Sequence, residues 1–204
     1  MKHMTRTDRD KLVQMARKRG VLRAADAKAA GYHSQQLTRL VADRVLERIA
    51  PGCYLYADRP ITENHGIVTV AAAAPGGVIC LLSALSFHGI GTQLPSDVWL
   101  AIERGTRVPV FAWPPVTVLR FSGPAFSEGI ESHRIAGVNV RVYSVAKTLA
   151  DSFRFRNRIG LDVALEALRE AWRERRFTVT SLEHAARACR VERVMRPYVE
   201  AVVG

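Results

Sequence analysis

The stretch "RLVADRVLERIAPGCYLYADRP", residues 39–60, leaves the chain few ways to fold. Leu40 and Val41 sit on one side of a basic helical end. Val45, Leu46 and Ile49 then begin a short apolar–polar alternation, which stops at Pro51-Gly52. Proline has no backbone N–H to give and glycine tolerates positive φ, so the chain turns there. The alternation resumes as Cys53-Tyr54-Leu55-Tyr56, the second arm of a two-stranded ribbon. A ribbon alone buries too little to be stable in water, so the preceding residues must supply its core.

They read as three short helices. The first starts near Thr7, carries Leu12, Val13, Met15 and Ala16 on its apolar side and ends at Gly20. Val21 and Leu22 form a short extended entry to an alanine-rich helix from Arg23 to Ala30, stopped by Gly31. "YHSQQLTRLVADR" is the third, with His33 or Ser34 near its N-cap and Leu37, Leu40 and Val41 facing inward. Three helices and a β-ribbon within 60 residues is the order of a winged helix-turn-helix. Charge agrees with that order. Residues 1–60 hold 13 Lys and Arg against 6 Asp and Glu, a balance of +7, whereas 61–204 hold 17 against 13, or +4. The positive excess is concentrated at the N-terminal end, which points to a polyanionic partner for it.

"ADRP", 57–60, reads as a linker to a second domain spanning 61–204. Residues 62–74 and 78–89 read as two apolar helices parted by Pro75-Gly76-Gly77, each too short to cross a bilayer. After Pro95 the pattern turns to strands: "DVWLAIE", "PVTVLRF", "EGIESHRI" and "VNVRVYS", the last two joined as a hairpin through Ala136-Gly137. Helices follow at 145–153, 161–175, 180–189 and 194–202. The expected fold class is α+β, an N-terminal winged helix-turn-helix followed by a mixed α/β domain whose small sheet is covered by helices. The N-terminus lacks an apolar signal segment, and the three cysteines show neither disulfide nor zinc spacing, so a soluble cytoplasmic protein is expected.

In such a fold the third helix offers its N-terminal side chains to base edges and the wing reaches phosphates. The candidates on the helix are His33, Ser34, Gln35, Gln36, Thr38 and Arg39, with Gln suited to adenine and Arg to guanine. Arg23, Arg44 and Arg48 are placed to meet phosphates. Catalytic-looking fragments do not complete a site. "SVAK", 144–147, has the S-x-x-K spacing but no K-T-G, and Ser144 as an N-cap with Lys147 paired to Asp151 explains it. Ser83, Ser86 and His88 lie on one helix without a nucleophile elbow. The six histidines form no metal-binding pattern, and "GIGTQLP" lacks the Lys and Ser/Thr of a phosphate loop. No cofactor and no catalytic reaction are expected. "RFRNR", 154–158, is a compact positive patch that suits an acidic protein or nucleic acid, or else caps the preceding helix at its negative end.

Three segments, "GVLRAADAKAAGYHSQQLTRLVADRVLERIAPGCYLY", "VICLLSALSFHGIGTQLPSDVWLAI" and "VAKTLADSFRFRNRIGLDVALEALREAW", resemble the AbiEi antitoxins of bacterial type IV toxin–antitoxin (abortive infection) systems. The resemblance implies a winged helix that represses its own operon at inverted repeats in double-stranded promoter DNA. It also implies a C-terminal domain that counters a cognate AbiEii-like nucleotidyltransferase toxin; if so, the positive patch makes Arg154, Arg156 and Arg158 the candidates for that role. It implies no cofactor; no membrane partner is expected either, the apolar stretches being too short to span a bilayer. The wing turn Ala50-Pro51-Gly52 departs from the family in lacking an Arg-Gly pair. Two other readings remain: a stand-alone winged-helix regulator without a toxin partner, and a DNA-processing enzyme.

Overall fold

The computed structural model describes residues 6–58, 64–111 and 113–203. The N-terminal residues, the end of the expected linker and the first residues of the helix expected over 62–74 lie outside them. The protein is a mixed α and β chain that groups by proximity into two units. One comprises 1–75 with 109–114 and 134–140; the other comprises 76–108, 115–133 and 141–204.

In the first unit, α1 (Arg6–Arg19) runs to Gly20, whose φ of 71° ends the helix. β1 (Val21–Arg23), α2 (Ala24–Ala29), α3 (Ser34–Ala42), β2 (Leu46–Ala50) and β3 (Cys53–Tyr56) follow. The expected two-stranded ribbon is a three-stranded antiparallel sheet in the order β1-β3-β2. The short extended entry at Val21–Arg23 is its third strand, with Leu22 opposite Tyr54 and Tyr54 opposite Arg48. Leu12, Ala16, Leu22, Ala27, Leu37, Leu40, Leu46 and Tyr54 make one closed core. Each large member contributes about 1.5–3 kcal/mol on burial. α4 (His65–Ala73) is buried from Ile67 to Ala72 and packs against β2.

The second unit holds most of a five-stranded sheet, β6-β5-β4-β8-β7, from β4 (Val78–Ile79), β5 (Val98–Glu103), β6 (Val116–Phe121), β7 (Ile130–Ile135) and β8 (Val138–Tyr143), of which 134–140, the turn end of β7 and β8, is counted in the first unit. β5 and β6 run parallel, as do β4 and β8, whereas β4 and β5 are antiparallel. β7 and β8 meet at Ala136-Gly137, both at positive φ (48° and 79°), as the expected hairpin needs. The helix expected over 78–89 is corrected here: its first two residues form β4, and α5 spans only Leu81–His88. α6 (Pro124–Ser127), α7 (Val145–Arg154), α8 (Arg156–Ile159), α9 (Leu161–Arg173), α10 (Val179–Cys189) and α11 (Glu192–Val203) complete the chain. α7 lies at the centre and touches α5, α9, α10 and α11; every residue from Val145 to Phe153 is buried. Among the described residues no helix is long and apolar enough to cross a membrane.

Candidate nucleic-acid interface

α3 divides its side chains sharply. Leu37 and Leu40 enter the core, while His33, Ser34, Gln35 and Thr38 are exposed and Gln36 and Arg39 are half-buried. The helix begins at His33, whose extended backbone (φ −89°, ψ 150°) makes it the N-cap. Its N–H donates to the Gln36 side-chain oxygen at 2.8 Å, one half of a capping box. Gln36 Oε1 thus holds its own helix start, whereas Gln35 carries no such tie. The Thr38 hydroxyl donates to the Ser34 carbonyl at 3.2 Å. Tyr32, His33, Gln35, Gln36 and Arg39, with Asp8 of α1, line a cleft of about 320 Å³.

The basic residues expected to serve phosphates lie around this helix. Arg23 ends β1 and is the exposed N-cap of α2. Arg44 follows α3 in the left-handed region, φ 57°, where glycine is the usual occupant. The turn closes through Arg44 N–H to the Val41 carbonyl and Val45 N–H to the Leu40 carbonyl. Arg48 is exposed on β2. Two of the acids nearby are paired with α1: Arg9 with Asp43 at 3.3 Å and Arg19 with Asp26 at 3.0 Å. Among the described residues, Arg23, Arg39, Arg44 and Arg48 have no carboxylate partner.

Sequence reasoning missed Arg17. Its guanidinium hydrogen-bonds the Tyr56 hydroxyl and lies 4.5 Å from the centre of that ring, joining α1 to the end of β3. Nothing in the local spacing of two residues so far apart could signal the contact.

In the second unit, Arg154 and Arg158 are exposed and Arg156 is half-buried. Arg156 donates to the Phe153 carbonyl at 3.0 Å and so caps the end of α7. The catalytic-looking fragments have structural tasks. The Ser144 hydroxyl accepts the Lys147 N–H at the start of α7, as expected of an N-cap. Lys147 does pair with Asp151, at 2.6 Å, but wholly out of solvent rather than on a surface. Burial raises the Asp151 carboxyl above its ordinary range, an effect that Lys147 offsets in part. The Cys189 thiol donates to the other Asp151 oxygen at 3.2 Å and is pushed up to about 12, first by burial and then by that carboxylate. Ser83 joins α5 to β5, donating to the Asp97 carbonyl and accepting the Trp99 N–H. The His88 ring bonds the Tyr143 carbonyl through Nε2 at 2.8 Å, and burial holds its pKa below the usual histidine value. Among the described residues no group of three His, Cys, Asp or Glu is placed to hold a metal ion.

Residues 10–57, from α1 to the end of the three-stranded sheet, match the model of a protein family described as "Transcriptional regulator, AbiEi antitoxin". The match covers less than half of the chain and includes all of α3. No curated protein matches the sequence.

Proposed function

We propose, from the match of residues 10–57 to the AbiEi regulator model, that the chain is an antitoxin and autorepressor of a type IV toxin–antitoxin system. Residues 1–60 act as a winged helix-turn-helix that places α3 in the major groove of inverted repeats in its own promoter. His33, Ser34, Gln35, Gln36, Thr38 and Arg39 meet base edges, and Arg23, Arg44 and Arg48 meet phosphates. Residues 61–204 counter a nucleotidyltransferase-like toxin, with Arg154, Arg156 and Arg158 in the neutralising surface. The chain needs no cofactor, catalyses no reaction and works in the cytoplasm beside its operon. The observation that carries this reading is the coincidence of the family match with a helix that exposes four polar side chains beside arginines that have no acidic partner among the described residues.

The confinement of the match to 10–57 favours one alternative, a stand-alone winged-helix regulator. Co-expression separates the two. Under the antitoxin reading the chain represses a reporter on its promoter and restores growth to cells making the adjacent toxin. An Arg154→Ala/Arg156→Ala/Arg158→Ala variant of unchanged melting temperature then keeps repression and loses rescue. Repression without rescue by the unaltered chain leaves the plain regulator. Full rescue by the variant removes the arginines from the mechanism.

A further inference from the structure

One face of the second unit's sheet is aromatic, and arginines lie on it. Trp99 on β5 and Phe121 on β6 belong to the same face, since Trp99 pairs with Thr117 and Glu103 with Phe121 in the parallel register. Phe121 stacks on Tyr143 (6.1 Å between centres, 28°) and on Phe155 (5.6 Å, 27°), so the three rings form a column. Buried Lys147 closes its inner end, with Nζ 3.9 Å from the Tyr143 centre. Arg154 lies 5.6 Å from the centre of Phe121 and 5.7 Å from that of Phe155. Arg158, one helical turn further on, lies 4.9 Å from the centre of the half-buried Trp99 ring.

We propose that Arg154 and Arg158, seated on Phe121, Phe155 and Trp99, form a binding surface for single-stranded nucleic acid. This gives a chemistry to the partner of the surface assigned above to neutralisation, and rests on that assignment only for its use in the cell. A guanidinium lying on a ring keeps its other face and its in-plane N–H groups outward. The face accepts an unstacked base and the edge accepts a phosphate in bidentate fashion. Both side chains are exposed, and among the described residues neither has a carboxylate partner to give up. Flat cationic platforms suit bases free of a duplex, whose own faces are unstacked. An acidic protein would be better served by three outward charges. Here the middle arginine, Arg156, is turned onto the Phe153 carbonyl.

The test uses the full chain and fluorescein-labelled oligo(U) and oligo(dT) of about 12 nucleotides, read by anisotropy at low salt. Arg154→Ala/Arg158→Ala is expected to weaken single-strand binding about ten-fold or more, and to leave promoter-duplex affinity within about two-fold. Arg154→Lys/Arg158→Lys keeps the charge and the packing but loses the flat plane, and is expected to weaken binding several-fold. It also covers the case in which the alanine variant fails to fold. Tighter binding of oligo(U) than of oligo(dT) identifies RNA as the source, and the reverse identifies DNA; either supports the surface. Photocrosslinks from a thiouridine-substituted strand are expected at Trp99 or Phe155. The proposal is overturned if the lysine variant binds as the unaltered chain does, if crosslinks fall only within 33–48, or if polyglutamate competes as well as oligo(U). Failure of toxin rescue with single-strand binding intact would count against the antitoxin reading and leave this surface standing.

Discussion

At the scale of single residues, the clearest division is between Gln35 and Gln36. A glutamine reads adenine by accepting through Oε1 and donating through Nε2 together. Gln36 has its oxygen on the His33 N–H, so its amide is fixed in place. Gln35→Ala is expected to relax preference at one base pair by about 1–3 kcal/mol while the melting temperature holds. Gln36→Ala is expected to lower the melting temperature as well, by the loss of about 0.5–1 kcal/mol of helix capping. Binding isotherms over a set of single-base operator variants, beside thermal melts, distinguish the two. Equal losses on specific and unrelated duplexes would remove either residue from base reading. Arg44 presents the opposite case, a charge held in an unfavourable backbone conformation. A non-glycine residue in the left-handed region costs about 1–3 kcal/mol, part of which glycine recovers. Arg44→Gly should therefore raise stability in urea unfolding by up to about 1 kcal/mol and weaken all duplexes alike. A loss of both stability and binding would show that Arg44 is a packing residue.

Among elements, α7 holds the least expected arrangement. Its Lys147–Asp151 pair was legible as an i,i+4 spacing, but spacing alone does not reveal burial. "VAKTLADSF" carries four polar or charged residues that suggest a wet face, and helices on several sides close over it. Removing one partner leaves a buried charge, so Asp151→Ala is expected to cost about 3–5 kcal/mol. Lys147→Met/Asp151→Leu should recover most of that in denaturant titrations. An additive double variant, as unstable as the sum of its parts, would contradict the account. The other helices were readable from apolar spacing, as in α3 and α9, and in α1 from a glycine stop as well. β4 was not. "VICLL" is apolar throughout, and a run with no polar interruption has no period by which strand and helix differ. The pairing partner of Val21–Arg23 was equally hidden, because a three-residue strand is specified by its neighbour across the sheet. The arginines of 154–158 were visible as charge, but Phe121 and Trp99, two of the rings beneath them, come from distant strands.

For the whole molecule, charge sets the expected behaviour. The excess of +7 within the first 60 residues predicts that promoter affinity falls steeply with salt. Each phosphate neutralised adds about 0.9 to the slope of log K against log salt. Replacing Arg48 by Ala should lower that slope by about one unit without changing sequence preference, as measured by mobility shifts over a salt series. An unchanged slope would take Arg48 out of phosphate contact. Point substitutions suit such tests better than truncations, for a reason in the path of the chain. The first unit takes 109–114 and 134–140 as well as 1–75, so the polypeptide leaves it and returns twice before finishing in the other. Recombination that transplanted only the leading sixty residues onto another protein would leave two of those segments behind. On the proposed reading, a lineage carrying this chain would exchange operator preference cheaply by altering α3, whereas a whole-cassette swap would need several simultaneous junctions.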